Sequence, residues 1–151
     1  MPSSDNMLKN DPGNTRIHRF KTSLPASFWF LLIMVLLSLP GQSFPVVEIW
    51  KPDKIAHLML FGMQAVLLWL ALELPRRIRV LRLPPLLFAA IVTSAFGALS
   101  EGYQAVFTTR MADPYDIIAN AVGVALALGI VRAVGPARLL RTTRRVLRIP
   151  D

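Results

Sequence analysis

The sequence predicts an all-α membrane protein: a four-helix transmembrane bundle with a basic amphipathic C-terminal tail. Three observations predict it. Hydrophobic residues make up 54% of the 151-residue chain and mean hydropathy is +0.49, too apolar for an ordinary soluble surface. Four long apolar runs are separated by short polar or proline-containing segments. The net charge of +8 is concentrated between and beyond those runs, the distribution of membrane-flanking charge. No zinc-finger or RNA-binding signature accompanies the basic residues, so no nucleic-acid partner is expected. Cysteine is absent, which excludes disulfides and thiolate metal sites.

Residues 1–23 are polar, basic and rich in turn formers, and read as a disordered tail. The first helix is expected over about 24–39, uncharged and closed by Pro40-Gly41. The long leader and the lack of a small-x-small cleavage site argue against a signal peptide. Its sixteen residues span only about 24 Å, so Trp29 and flanking residues or local bilayer thinning must make up the length. The second helix is expected over about 53–74, with His57 and Gln64 inside an apolar stretch and Pro75 ending it. A basic linker follows, and the third helix is expected over about 84–107, Pro84 and Pro85 suiting its first turn. The turn-like string TTRMADP leads into the fourth, about 115–134, which Gly135-Pro136 breaks. The remaining 135–151 form a basic tail with the pattern of a helix lying on a lipid surface.

Fourteen of the seventeen Lys and Arg residues lie in the two tails and the 75–83 linker, counting Arg132 at the end of helix four with the C-terminal tail; only Lys51, Lys54 and Arg110 lie in the other two loops. The positive-inside rule therefore places both termini in the cytoplasm and the loops around 40–54 and 108–115 outside. With that topology Asp53, Lys54, His57, Glu101, Gln104, Arg110, Asp113, Asp116 and Asn120 all arrive at the outer boundary of helices two, three and four. Asp53 and His57, Glu101 and Gln104, and Asp116 and Asn120 are spaced by three or four, so each pair shares one helical stripe. Ser94, Gly97 and Glu101 are expected along one face of helix three, and Asn120, Gly123 and Ala127 along one face of helix four, where small residues permit close approach. Gln64 continues the His57 stripe about 10 Å deeper. Trp50 and Tyr103 read as interfacial anchors.

In chain order, DKIAH, SEGYQAVF and RMADPYDIIANAVG give an Asp-Lys-x-x-His helix start, a Glu-x-x-Gln helix end, and Arg-x5-Asp-x3-Asn-x2-Gly. This resembles the VanZ-like family of bacterial membrane proteins over roughly 51–131, leaving helix one and both tails uncovered. The resemblance implies the bacterial cytoplasmic membrane, a connection with the cell envelope, and an influence on glycopeptide antibiotic or envelope stress tolerance. It points to Asp53, Lys54, His57, Glu101, Gln104, Arg110, Asp116, Asn120 and Gly123.

These residues suit binding of an envelope-associated lipid or anionic ligand, with Arg110 and Lys54 as donors to a phosphate or carboxylate. Membrane lipids, a cell-envelope precursor or another membrane protein are the partners such a site implies. The residues leave open an enzyme using His57 and Glu101 as acid and base on a lipid-linked substrate, and a structural accessory subunit whose polar cluster serves assembly. Glu101 and Asp116 can each pair with Arg110. One histidine with two carboxylates is a weak metal signal, and the sequence assigns neither metal nor cofactor. Serine-nucleophile, phosphate-loop and dinucleotide motifs are absent.

Overall fold

The structure, a computed structural model, describes residues 12–39, 52–74, 83–108 and 113–147. It is all-helical over them: α1 (Pro12–Ser38), α2 (Pro52–Glu73), α3 (Pro85–Phe107), α4 (Pro114–Val134) and α5 (Pro136–Leu147). The first four each contain a stretch long and apolar enough to cross a membrane, as the composition requires.

α1 departs from the sequence-based expectation. It starts at Pro12, so the second half of the tail expected to be disordered is helical. Once an apolar helix exists, each added residue gains a hydrogen bond without a new nucleation cost, and Pro12 stands at the first turn, where its missing N–H costs nothing. The apolar span is Phe20–Ser38, nineteen residues, or about 28 Å. That length removes most of the expected mismatch. Trp29 points inward rather than to a boundary: its indole N–H donates to the Leu60 carbonyl of α2 at 3.0 Å.

α2 and α4 form the most intimate pair. A Cβ built on Gly123 would overlap the Leu58 carbonyl, its carbonyl carbon only 2.8 Å away, and one built on Gly62 would lie 2.9 Å from the Gly123 carbonyl oxygen. The two backbones touch with no side chain between them, the geometry small residues permit in membranes. Around this seam Ile33, Phe61, Ala65, Trp69, Ala89, Val124, Leu128 and Val131 form the buried apolar core. An aromatic chain ties three helices together: Phe30 lies 4.5 Å from Phe96, Phe96 lies 5.3 Å from Phe61, and Phe61 stacks beneath His57 at 6.2 Å.

The inward stripe of α3 is Ala89, Thr93, Gly97, Ser100, Glu101 and Gln104. Ser94, expected on that stripe, is only half-buried, and Thr93 takes the inward place. The Gly97–Glu101 repeat of four continues backwards to Thr93, whereas Ser94 is one helical step of about 100° off it. Tyr103 stacks on Phe107 and meets the Ser38 hydroxyl at 3.1 Å. Trp50 lies outside the described residues.

At the far end Gly135 adopts φ +93°, a conformation that favours glycine, and turns the chain from α4 into α5. Leu139 and Leu140 of α5 pack against the core, and the Arg144 guanidinium donates to the Leu74 carbonyl at 3.4 Å. The basic amphipathic segment thus closes the end of the bundle at which α2 finishes.

Candidate functional site

Opposite α5, the start of α2, the end of α3 and the start of α4 bring their polar residues to one end of the bundle. Each is placed by a local signal. Asp113 caps α4, its carboxylate accepting the Tyr115 N–H at 2.9 Å, and Pro114 opens the first turn, one or two residues ahead of the expected start. Asp116 then falls in that first turn, where the helix dipole favours a carboxylate. Asp53 likewise falls in the first turn of α2.

His57 is the centre of the cluster, with only 2% of its side chain exposed. Its Nδ1 meets Asn120 Oδ1 at 3.0 Å, and the Asn120 amide nitrogen lies 3.4 Å from the Gly97 carbonyl. That second contact orients the amide with its oxygen toward His57, an acceptor for an Nδ1–H donor. Gly97 makes the arrangement possible, since a Cβ there would stand 3.0 Å from that of Asn120. Three carboxylates ring the imidazole at 3.9 Å: Glu101 Oε1 from Nδ1, and Asp53 Oδ1 and Asp116 Oδ2 from Nε2. His57 Nε2 has no hydrogen-bond partner.

Lys54 bridges the rim. Its ammonium donates to Asp113 Oδ2 at 2.7 Å and Asp116 Oδ1 at 3.0 Å, and it lies 5.3 Å from the centre of the Tyr115 ring. The Lys54 and Asp113 side chains are about one-third exposed (32% and 31%) and Asp53 is 42% exposed, against 6% for Asp116 and 3% for Glu101. The cluster therefore grades from a wet rim to a dry base. Glu101 Oε2 also accepts the Asp113 backbone N–H at 3.4 Å, joining α3 to the cap of α4.

The structure brings Asp53, Lys54, His57, Glu101, Asp116 and Asn120 together. Gln104 stands apart: it is buried at the same end, but its amide donates to the Leu37 carbonyl of α1 at 3.2 Å and so fastens helices. Arg110, with the ion pairs expected of it, lies outside the described residues. Asp113 was placed at this end by the sequence without a role, and the structure gives it two, as cap and as partner of Lys54. The Asp-Pro dipeptide ahead of an apolar run was the available signal. Gln64 Oε1 and Thr93 Oγ1 are further buried polar atoms without a hydrogen-bond partner.

A family model described as VanZ/LLP1 matches residues 9–135. The chain belongs to the VanZ/LLP1 family. The match takes in α1, which the DKIAH, SEGYQAVF and RMADPYDIIANAVG strings do not reach, so the VanZ/LLP1 unit is the whole four-helix bundle, including the helical residues ahead of the first apolar span. No curated protein and no solved structure matches the chain. As a VanZ/LLP1 member with four apolar helices, it is a multi-pass membrane protein.

Proposed function

We propose that this VanZ/LLP1 protein binds the polar headgroup of an envelope-associated lipid at the cluster formed by Asp53, Lys54, His57, Glu101, Asp116 and Asn120. The observation that carries the reading is the gradient of exposure. A cluster serving assembly alone would close upon itself, whereas here a wet rim of Asp53, Lys54 and Asp113 leads to a buried His57 with an unused ring nitrogen. Among the described residues of the cluster the carboxylates outnumber the cations, and Lys54 is already held by two of them. The site accordingly favours a headgroup that brings hydroxyl or amine donors over a bare anion.

The cluster belongs on the outer side of the bacterial cytoplasmic membrane under this reading, with both termini inside, because the Lys and Arg bias assigns the ends that way. An effect on glycopeptide antibiotic or envelope stress tolerance would follow from sequestering or presenting such a lipid. A periplasm-dependent reporter fused after Thr109 is expected to be active and one fused after Arg79 inactive; the reverse pattern overturns the assignment of sides.

Lipid binding has a direct measurement. Protein extracted in mild detergent is expected to retain one class of polar lipid by native mass spectrometry, and Asn120→Ala and Lys54→Ala variants are expected to lose it. An identical lipid profile in wild type and variants would remove the binding reading. Turnover of a supplied lipid-linked precursor would instead favour an enzyme, in which Asn120 orients His57 and His57 and Glu101 exchange the proton.

A further inference from the structure

We propose that Asp53, His57 and Asp116 bind one divalent transition-metal cation. The three offer one ligand atom each, and these atoms lie within 4.8 Å of one another, with His57 Nε2 at 3.9 Å from both carboxylate oxygens. The decisive feature is the placement of Asn120, whose oxygen is an acceptor at Nδ1 and leaves Nε2 to face the two carboxylates. In the neutral ring that donates from Nδ1 to Asn120, Nε2 presents a lone pair, and the two oxygens facing it are acceptors as well. Three potential ligand atoms thus converge at a largely buried position with no hydrogen bond to Nε2, where a cation would be held by all three.

The surroundings have the form of a metal site's second layer. A ligating histidine ordinarily passes its other N–H to a fixed acceptor, here Asn120 Oδ1, and a ligating carboxylate is itself hydrogen-bonded, here Asp116 Oδ1 to Lys54. Metal–ligand bonds of about 2.0 to 2.2 Å separate neighbouring ligand atoms by roughly 3 to 4 Å, so the present spacing needs shifts of less than about 1 Å. Asp53, half-exposed on the first turn of α2, can make such a shift by rotating its side chain. One imidazole with two carboxylates suits Mn²⁺, Co²⁺ or Zn²⁺ better than Mg²⁺ or Ca²⁺, which favour all-oxygen sets. The proposal stands independently of any lipid, since the protein alone supplies the three ligands.

The test uses the full-length chain in detergent, free of any affinity tag, stripped with a chelator and titrated with Co²⁺ by visible absorption and calorimetry. One Co²⁺ per chain is expected, displaced by Zn²⁺. His57→Gln is expected to abolish binding, and Asp53→Asn and Asn120→Ala to weaken it at least tenfold, the latter through loss of the second layer. His18→Gln, the change at the other histidine of the sequence, is expected to leave it unaltered. Circular dichroism and gel filtration establish that each variant folds, and Asp53→Asn, at the exposed rim, decides the matter if His57→Gln does not accumulate. Non-saturating uptake, or equal affinity in wild type and Asp53→Asn, overturns the proposal.

Discussion

Alanine at Gly123 is expected to lower the unfolding free energy of the bundle by about 2 to 3 kcal/mol, whereas alanine at Gly129, further along the same helix, is expected to be neutral or mildly stabilising. The new methyl group at Gly123 would meet backbone, the Leu58 carbonyl, and backbone cannot rotate out of the way as a side-chain tip can. The only relief is to push α2 and α4 apart along their whole contact. Gly129 has nothing within 4 Å of its would-be Cβ, so there the substitution keeps only the helix-forming advantage of alanine. Reversible unfolding in mixed detergent, followed by circular dichroism, measures both. Equal losses at the two positions would contradict the seam described between α2 and α4.

The second large effect is expected from Phe61→Ala, a loss of about 3 kcal/mol in the same assay. Phe61 is fully buried and touches Phe96 on one side and the His57 ring on the other. In a bilayer the separated helices bury their apolar side chains in lipid, so little transfer energy is at stake and the loss comes from dispersion contacts and the cavity left behind. That puts the figure near the lower end of the range for such truncations. The same substitution removes the floor under His57, so Co²⁺ affinity is expected to fall in parallel with stability. Phe61→Leu refills much of the volume and is expected to recover most of both.

Much of this could be read from the chain. Four apolar runs bounded by prolines give four helices because the bilayer leaves a spanning backbone no other way to satisfy itself short of a closed barrel. Pairs at three or four residues, such as Asp53 with His57 and Asp116 with Asn120, share a stripe by helix geometry alone. What crosses between helices was less accessible. That Lys54 would bridge Asp113 and Asp116 depends on how closely the start of α4 approaches α2, where the Gly62–Gly123 seam brings the two backbones together. Thr93 in place of Ser94 reflects the rotation of α3 about its own axis, which neighbouring residues of similar polarity do not reveal. The early start of α1 was hidden because polar residues with turn preference can still be carried into a helix by an apolar neighbour. The inward docking of Trp29 likewise depends on a tertiary partner, the Leu60 carbonyl.

The seam between α2 and α4 has a mechanical side. Two helices in backbone contact, each toothed into the other at a glycine, have no slip plane and behave as one rod. That rod carries Asp53, Lys54 and His57 on one strut and Asp113, Asp116 and Asn120 on the other, so the backbone positions from which these side chains project are held together. Glu101 rides on α3, joined to the rod through side-chain contacts such as the Asp113 amide and the Gly97–Asn120 pair. The backbone of α3 meets the rod through no such glycine seam among the described residues, so of the cluster's carboxylates Glu101 is the one held to it by side-chain contacts alone.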